Sequence, residues 1–192
     1  SGATLAVGIW TLAVFDYDQS EKLQFAVDKE WIQVIKSGYT IGLDGISLPL
    51  YILSMAVTFL VAIYTWDNMP DAGNPKSFLM LMLVLQVGMA GSFIAQDLIL
   101  FFVFFEIVLL PMYFMIGVWG GPERKYASIK FFVYTLFGPA LMILSFLALY
   151  QHAHTFDMRQ LRELSATIAH GTQLLIFGGM LLTLLVAWLV FF

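Results

Sequence analysis

Long uncharged stretches alternate with short polar breaks along this chain. Residues 48–66, 77–96, 131–156 and 164–192 contain no Asp, Glu, Lys or Arg, and between residues 77 and 122 only Asp97 and Glu106 are charged. About 20 apolar residues are needed for a helix to cross the hydrocarbon core of a bilayer. Length and flanks therefore predict spans at 48–66, 77–95, 98–117, 126–150 and 173–192. The apolar run 3–15 is only 13 residues long before Asp16 interrupts it, so it reads as a shortened span. It has no basic n-region and is not a signal peptide. Backbone polar groups must be satisfied within a lipid-embedded segment, so these spans are helices and not open strands.

The breaks carry turn chemistry. Asp67-Asn68-Met69-Pro70-Asp71-Ala72-Gly73-Asn74-Pro75 is a polar Pro/Gly loop, and Gly120-Gly121-Pro122 ends another helix. Asp97 stands at a very tight turn and reads as an N-cap for the helix beginning at Leu98; Asp44-Gly45-Ile46-Ser47 places cap residues before another span. Nine of the 22 formal charges (9 basic plus 13 acidic) fall between residues 16 and 44, which therefore read as a charged loop. Lys76, Arg124 and Lys125 lie in short loops and favour the cytoplasmic side for 68–76 and 120–125. That puts 16–44, 96–97 and 152–172 outside, with a short surface helix around 158–164. Gly88, Gly91, Ser92 and Ala95 recur at i, i+3, i+4 and i+7, a small-residue face for close helix packing. Gln86 on the same span is expected to hydrogen-bond between helices, and Trp10, Trp66 and Trp119 lie at span ends as interfacial anchors do.

Composition narrows the class. The chain has 192 residues, 60% of them hydrophobic and 11% charged, with a mean hydropathy of +0.86. Soluble domains carry about a quarter charged residues. Too much apolar surface is present for a water-soluble globule of this size. A disordered chain, a nucleic-acid binder and an ordinary cytosolic enzyme are excluded. The expected architecture is all-α: one polytopic transmembrane helical domain over 1–192. Starting at Ser1 and ending in an uncharged span, it reads as a fragment of a larger membrane protein. There is no cysteine, and so no iron–sulfur or zinc-thiolate site. His152, His154 and His170 form no ligand pattern, so no metal is expected.

Glu106 is the chemically distinctive residue. It falls near the centre of the 98–117 span, where an ionised acid costs roughly 3 kcal/mol on insertion scales. A carboxyl able to hold or release a proton near neutral pH suits a proton carrier. The alternative is a protonated structural Glu, hydrogen-bonded or packed in a subunit interface. Pro111, on the same helix, frees the carbonyl of Ile107 and makes room for water or a polar partner. Lys130 is the one cation of the chain that could answer Glu106. At 1.5 Å per residue Glu106 lies about 16 Å from the 117 end and Lys130 about 6 Å into its helix. That ~10 Å offset exceeds the ~6 Å reach of a lysine stem, which favours tuning through water over a direct pair. Read blandly, Lys130 is a snorkelling interfacial lysine.

Three segments carry a family resemblance. They are 97–113 (DLILFFVFFEIVLLPMY), Gly117-Val118-Trp119-Gly120-Gly121, and 124–135 (RKYASIKFFVYT); Gly42-Leu43-Asp44-Gly45-Ile46-Ser47 adds to them. With these the chain resembles the subunit M family of bacterial proton-pumping NADH:quinone oxidoreductase (respiratory complex I), whose mitochondrial equivalent is NADH dehydrogenase subunit 4. The wider superfamily includes subunits L and N, membrane-bound hydrogenase subunits and multisubunit sodium/proton antiporters, which remain the alternative. The resemblance implies part of an antiporter-like inverted-repeat fold in the bacterial cytoplasmic membrane. It implies a non-redox subunit of a translocating enzyme complex, with no active centre of its own, that couples NADH oxidation and quinone reduction elsewhere to proton transport. Glu106 matches the family's central glutamate, whose lysine partner sits on a later, broken helix. No cofactor is implied in this chain; NADH, FMN, iron–sulfur clusters and quinone belong to other subunits. The implied partners are membrane-arm subunits of the L and N type and the lipid bilayer.

Overall fold

A computed structural model describes residues 1–32, 37–69 and 73–164, together with residues 35, 178 and 181. In order these form α1 (Gly2–Val14), β1 (Gln24–Ile32), β2 (Ser37–Leu43), α2 (Ser47–Asp67), α3 (Pro75–Ile94), α4 (Leu98–Trp119), α5 (Arg124–Ala153) and α6 (Met158–Leu164). Helices α2, α3, α4 and α5 are 21, 20, 22 and 30 residues long and apolar enough to span a membrane. The span expected at 173–192 lies outside the described residues. Each of the first four helices packs on the next in chain order: α1 on α2, α2 on α3, α3 on α4 and α4 on α5.

Local chemistry sets the helix ends. Asn74 caps α3 by accepting from Lys76 N at 3.0 Å, with Pro75 in the first turn. Gly120 closes α4, and α5 begins at Arg124, two residues earlier than its charges suggest. Helix α5 ends where His154 takes a left-handed φ of 53°. Asp157 starts α6 by accepting from Arg159 N at 2.8 Å.

Helix surfaces match a lipid-embedded bundle. Leu60 and Trp66 on α2 are 63% and 88% exposed. Inward positions mix apolar residues such as Met55 and Met82 with small or polar ones. A Cβ at Gly91 would overlap the Phe104 ring, and one at Gly88 would come within 2.7 Å of Val108, so the glycine face of α3 seats α4 at close range. Gln86 is buried and donates to Thr4 Oγ1 at 2.7 Å and Met55 Sδ at 3.0 Å, joining α1, α2 and α3.

The charged segment 16–44 differs from its reading as a loop. It holds an antiparallel hairpin, with Asp28 opposite Thr40 and Glu30 opposite Gly38. Strand β1 is almost wholly exposed, whereas β2 rests on α3 and α4. A core of Phe15, Leu43 and Leu48 lies beneath this end of the hairpin, and a second core joins Leu98, Met142, Phe146 and Phe156. Hydrogen bonds from Gln96 N to Thr40 O (2.9 Å) and from Leu98 N to Phe156 O (3.0 Å) gather 16–44, 95–97 and 154–157 at one end of the bundle. These are the three loops assigned to a common side from the charges.

Candidate proton-relay site

Helix α4 brings Glu106 into the bundle at its ninth residue. Its face follows from spacing. Phe102, one turn before it, packs against the core containing Met142 and Phe146 of α5. Tyr113, two turns after it, meets Phe132 of α5 with ring centroids 5.3 Å apart. Positions 102, 106 and 113 share one stripe of a helix, so Glu106 lies on the side of α4 turned to α5. Glu106 is partly buried, and its Oε1 is inaccessible and has no hydrogen-bond partner among the described residues.

The two helices run antiparallel, so the Tyr113–Phe132 contact fixes their register. Seven residues along each helix, about 10 Å, bring Glu106 level with Pro139 of α5. Gly138 and Pro139 are both buried. Pro139 has no amide for the carbonyl of Thr135, just as Pro111 has none for that of Ile107. Thr135 Oγ1 donates to Phe131 O at 2.5 Å and Phe132 O at 3.3 Å. The region around the acid thus pairs a small, amide-poor patch of α5 with two carbonyls lacking their usual helical donors. Such carbonyls can accept from water or from a protonated carboxyl.

Lys130 is not brought to Glu106. It lies two residues on the other side of the Tyr113–Phe132 level, so its offset from Glu106 is nine residues, about 13 Å. Its Nζ sits 6.0 Å from the centroid of the Tyr126 ring, one turn back toward the start of α5. That is the posture of a lysine reaching for the interface. Among the described residues no ion pair involves Glu106 or Lys130, and no group of His, Cys, Asp and Glu could hold a metal ion.

Asp97 does more than the sequence indicates. It caps α4 as expected, accepting at Oδ1 from Ile99 N (2.9 Å) and Leu100 N (3.2 Å). The same carboxylate accepts from Ser37 Oγ (2.9 Å) and Gly38 N (3.1 Å) of β2. No local pattern around Asp97 announces those donors, which come from about 60 residues upstream.

A serial bundle of membrane-length helices, one of them carrying a partly buried acid at its middle, defines a polytopic integral membrane protein. The family described as NADH:quinone oxidoreductase/Mrp antiporter, TM, matches residues 95–191, just over half of the chain. The chain belongs to that family. It is 39% identical to NADH-quinone oxidoreductase subunit M of Rhodobacter capsulatus, over 81% of this chain and 29% of the relative. It is 36% identical to NAD(P)H-quinone oxidoreductase chain 4-1 of Synechocystis, over 93% of this chain and 35% of the relative. F(420)H(2) dehydrogenase subunit M of Methanosarcina mazei is 33% identical over 83% of this chain and 33% of that relative. The chain therefore spans about a third of the length of these curated relatives. Among solved structures, respiratory complex I from Thermus thermophilus aligns with a TM-score of 0.75 at 24% identity, over 93% of this chain and 36% of that one. The Mrp complex from Dietzia aligns at 0.80 with 13% identity, over 97% and 20%. Those two likenesses concern the fold.

Proposed function

We propose that this chain forms part of an antiporter-like subunit that carries protons through the membrane arm of a bacterial NADH:quinone oxidoreductase. The carrying observation is Glu106: a mid-span carboxyl whose Oε1 is buried without a hydrogen-bond partner among the described residues, beside a helix surface short of amides. Its role is to take up and release a proton. Oxidation of NADH and reduction of quinone belong to other subunits, with the FMN and iron–sulfur clusters there; the absence of cysteine in this chain supports that division. Lys130 acts on Glu106 through water, and the cationic partner of the acid lies outside the described residues. Subunits of the L and N type are the neighbours in the cytoplasmic membrane.

A multisubunit sodium/proton antiporter or a membrane-bound hydrogenase is the second reading, favoured by the fold likeness to the Mrp complex. Relatives at 33–39% identity, all named as dehydrogenase or quinone-oxidoreductase subunits, weigh toward the first. The test is Glu106→Gln in the full-length subunit of the assembled complex. Gln keeps shape and hydrogen bonding and loses titration. Proton uptake by inverted vesicles should collapse while the complex still assembles. Undiminished pumping in Glu106→Gln would return the residue to a structural role, and sodium-dependent transport in its place would favour the antiporter.

A further inference from the structure

The end of the bundle that carries the hairpin is tied together through one side chain. Asp97 is 1% exposed, and it receives two donors from the first turn of α4 and two from β2. An ordinary N-cap serves helix amides alone. Backbone bonds repeat the tie: Gln96 N to Thr40 O at 2.9 Å, Leu98 N to Phe156 O at 3.0 Å, and Met158 N to Gln96 O at 3.0 Å. The link between α3 and α4 is therefore gripped by β2 on one side and by the lead-in to α6 on the other.

Pro111 divides α4, because the amide that would bond the Ile107 carbonyl is missing there. Glu106 lies on the Asp97 side of that break, nine residues and about 13 Å from the clamp. The half-helix carrying the acid is thus anchored at its start by the hairpin end, and farther along by Phe104 and Val108 seated on Gly91 and Gly88 of α3. We propose that Asp97 is a positioning residue of the proton relay: by clamping the first turn of α4 to β2, it sets the height and rotation at which Glu106 presents its carboxyl to α5. A register slip of one residue turns a helix by about 100° and shifts it about 1.5 Å, which moves the carboxyl off the α5-facing stripe. This inference rests on the reading of Glu106 as the relay group.

The hairpin half of the clamp can be weakened, one bond at a time, without the cap half. Ser37→Ala deletes a β2 donor and leaves Ile99 N and Leu100 N capped. In Asp97→Asn the amide oxygen still serves the helix, while the NH2 group opposes the Gly38 amide. Both variants, Ser37→Thr and Glu106→Gln are placed in the full-length subunit of the assembled complex, and proton uptake per quinone reduced is measured in inverted vesicles. Ser37→Ala and Asp97→Asn should assemble yet pump less per quinone by about twofold or more, because ångström-scale misplacement of a reacting group slows transfer steeply. Ser37→Thr should restore the wild-type ratio. A normal ratio in Ser37→Ala and Asp97→Asn, with Glu106→Gln defective, overturns the positioning role and leaves the relay reading intact. A normal ratio in Glu106→Gln as well overturns both. Failure of Ser37→Ala to assemble assigns the clamp to folding alone and also overturns the proposal.

Discussion

Tyr113 of α4 and Phe132 of α5 meet with their ring centroids 5.3 Å apart, and this contact decides how Glu106 and Lys130 can communicate. The acid lies on one side of that level and the lysine on the other, about 13 Å apart along the helices. Breaking a buried ion pair by removing one partner costs about 3–5 kcal/mol. Lys130→Ala should cost far less, below about 1 kcal/mol, as expected for an exposed charge, while slowing proton transfer. Thermal unfolding and pumping rate are recorded side by side. A loss of several kcal/mol would show a direct pair, and an unchanged pumping rate would remove Lys130 from the relay.

Close approach of α3 and α4 depends on Gly91. A Cβ there overlaps the Phe104 ring, so Gly91→Ala should cost about 1–3 kcal/mol, the usual range for overpacking. Ser92→Ala removes a hydroxyl that donates to Gly88 O on its own helix at 2.9 Å and should be nearly neutral. Unfolding midpoints of the detergent-solubilised full-length subunit check the pair of variants, and equal midpoints would show that the helices can part without cost.

Asp44 carries a pH signature outside the spans. Partial burial pushes its carboxyl up, but hydrogen bonds from Ser47 N (2.7 Å), Ser47 Oγ (2.8 Å) and Ile46 N (3.1 Å) outweigh this and hold it below its ordinary value of 3.8. A carboxyl depressed on folding stabilises the fold above its unfolded pKa, and that contribution disappears as pH falls through the folded value. Asp44→Asn should therefore lower the unfolding midpoint at neutral pH, and the gap from wild type should close below about pH 3.8. A gap that persists unchanged at pH 3 would assign the loss to packing.

The bridge from Arg159 to Asp28 spans 3.1 Å between side chains that are 43% and 62% exposed. Exposed pairs contribute about 0–1 kcal/mol and are screened by salt. Asp28→Asn should change stability by less than about 1 kcal/mol, with the difference fading at about 1 M salt. Asp97→Ala, which leaves four donors unanswered, should cost clearly more and be insensitive to salt. Denaturation at two ionic strengths separates the two, and a salt-sensitive Asp97→Ala would contradict its burial.

Spans were legible because lipid imposes one rule along the whole length of a helix: no charge without a reason. That rule set the bounds of α2 to α5 to within a few residues, and it also singled out Glu106. The hairpin was illegible for the opposite reason. Strand β1 faces outward along nearly all its length, so Gln24–Ile32 shows no buried alternation, and its Asp, Lys and Glu resemble a solvated loop. Strand β2 is held by α3, α4 and the Asp97 carboxylate, none of which is near it in sequence. The cap at Asp97 could be read locally; its second role could not, since Ser37 and Gly38 identify themselves only once the chain has folded back.

Distance along the chain gives the hairpin clamp a consequence for biogenesis. Ser37 must wait for a partner 60 residues later, and Asp28 for one 131 residues later. In a chain inserted from its N-terminus, the hairpin reaches its own side of the bilayer well before α4 and α5 have been threaded. Until then β1 and β2 are exposed to whatever chaperones and proteases that compartment holds. Closure of the junction by Leu98, Phe156 and Met158 marks the point at which α5 has crossed. A protease that cuts the open hairpin and spares the closed one would time the insertion of this half of the bundle.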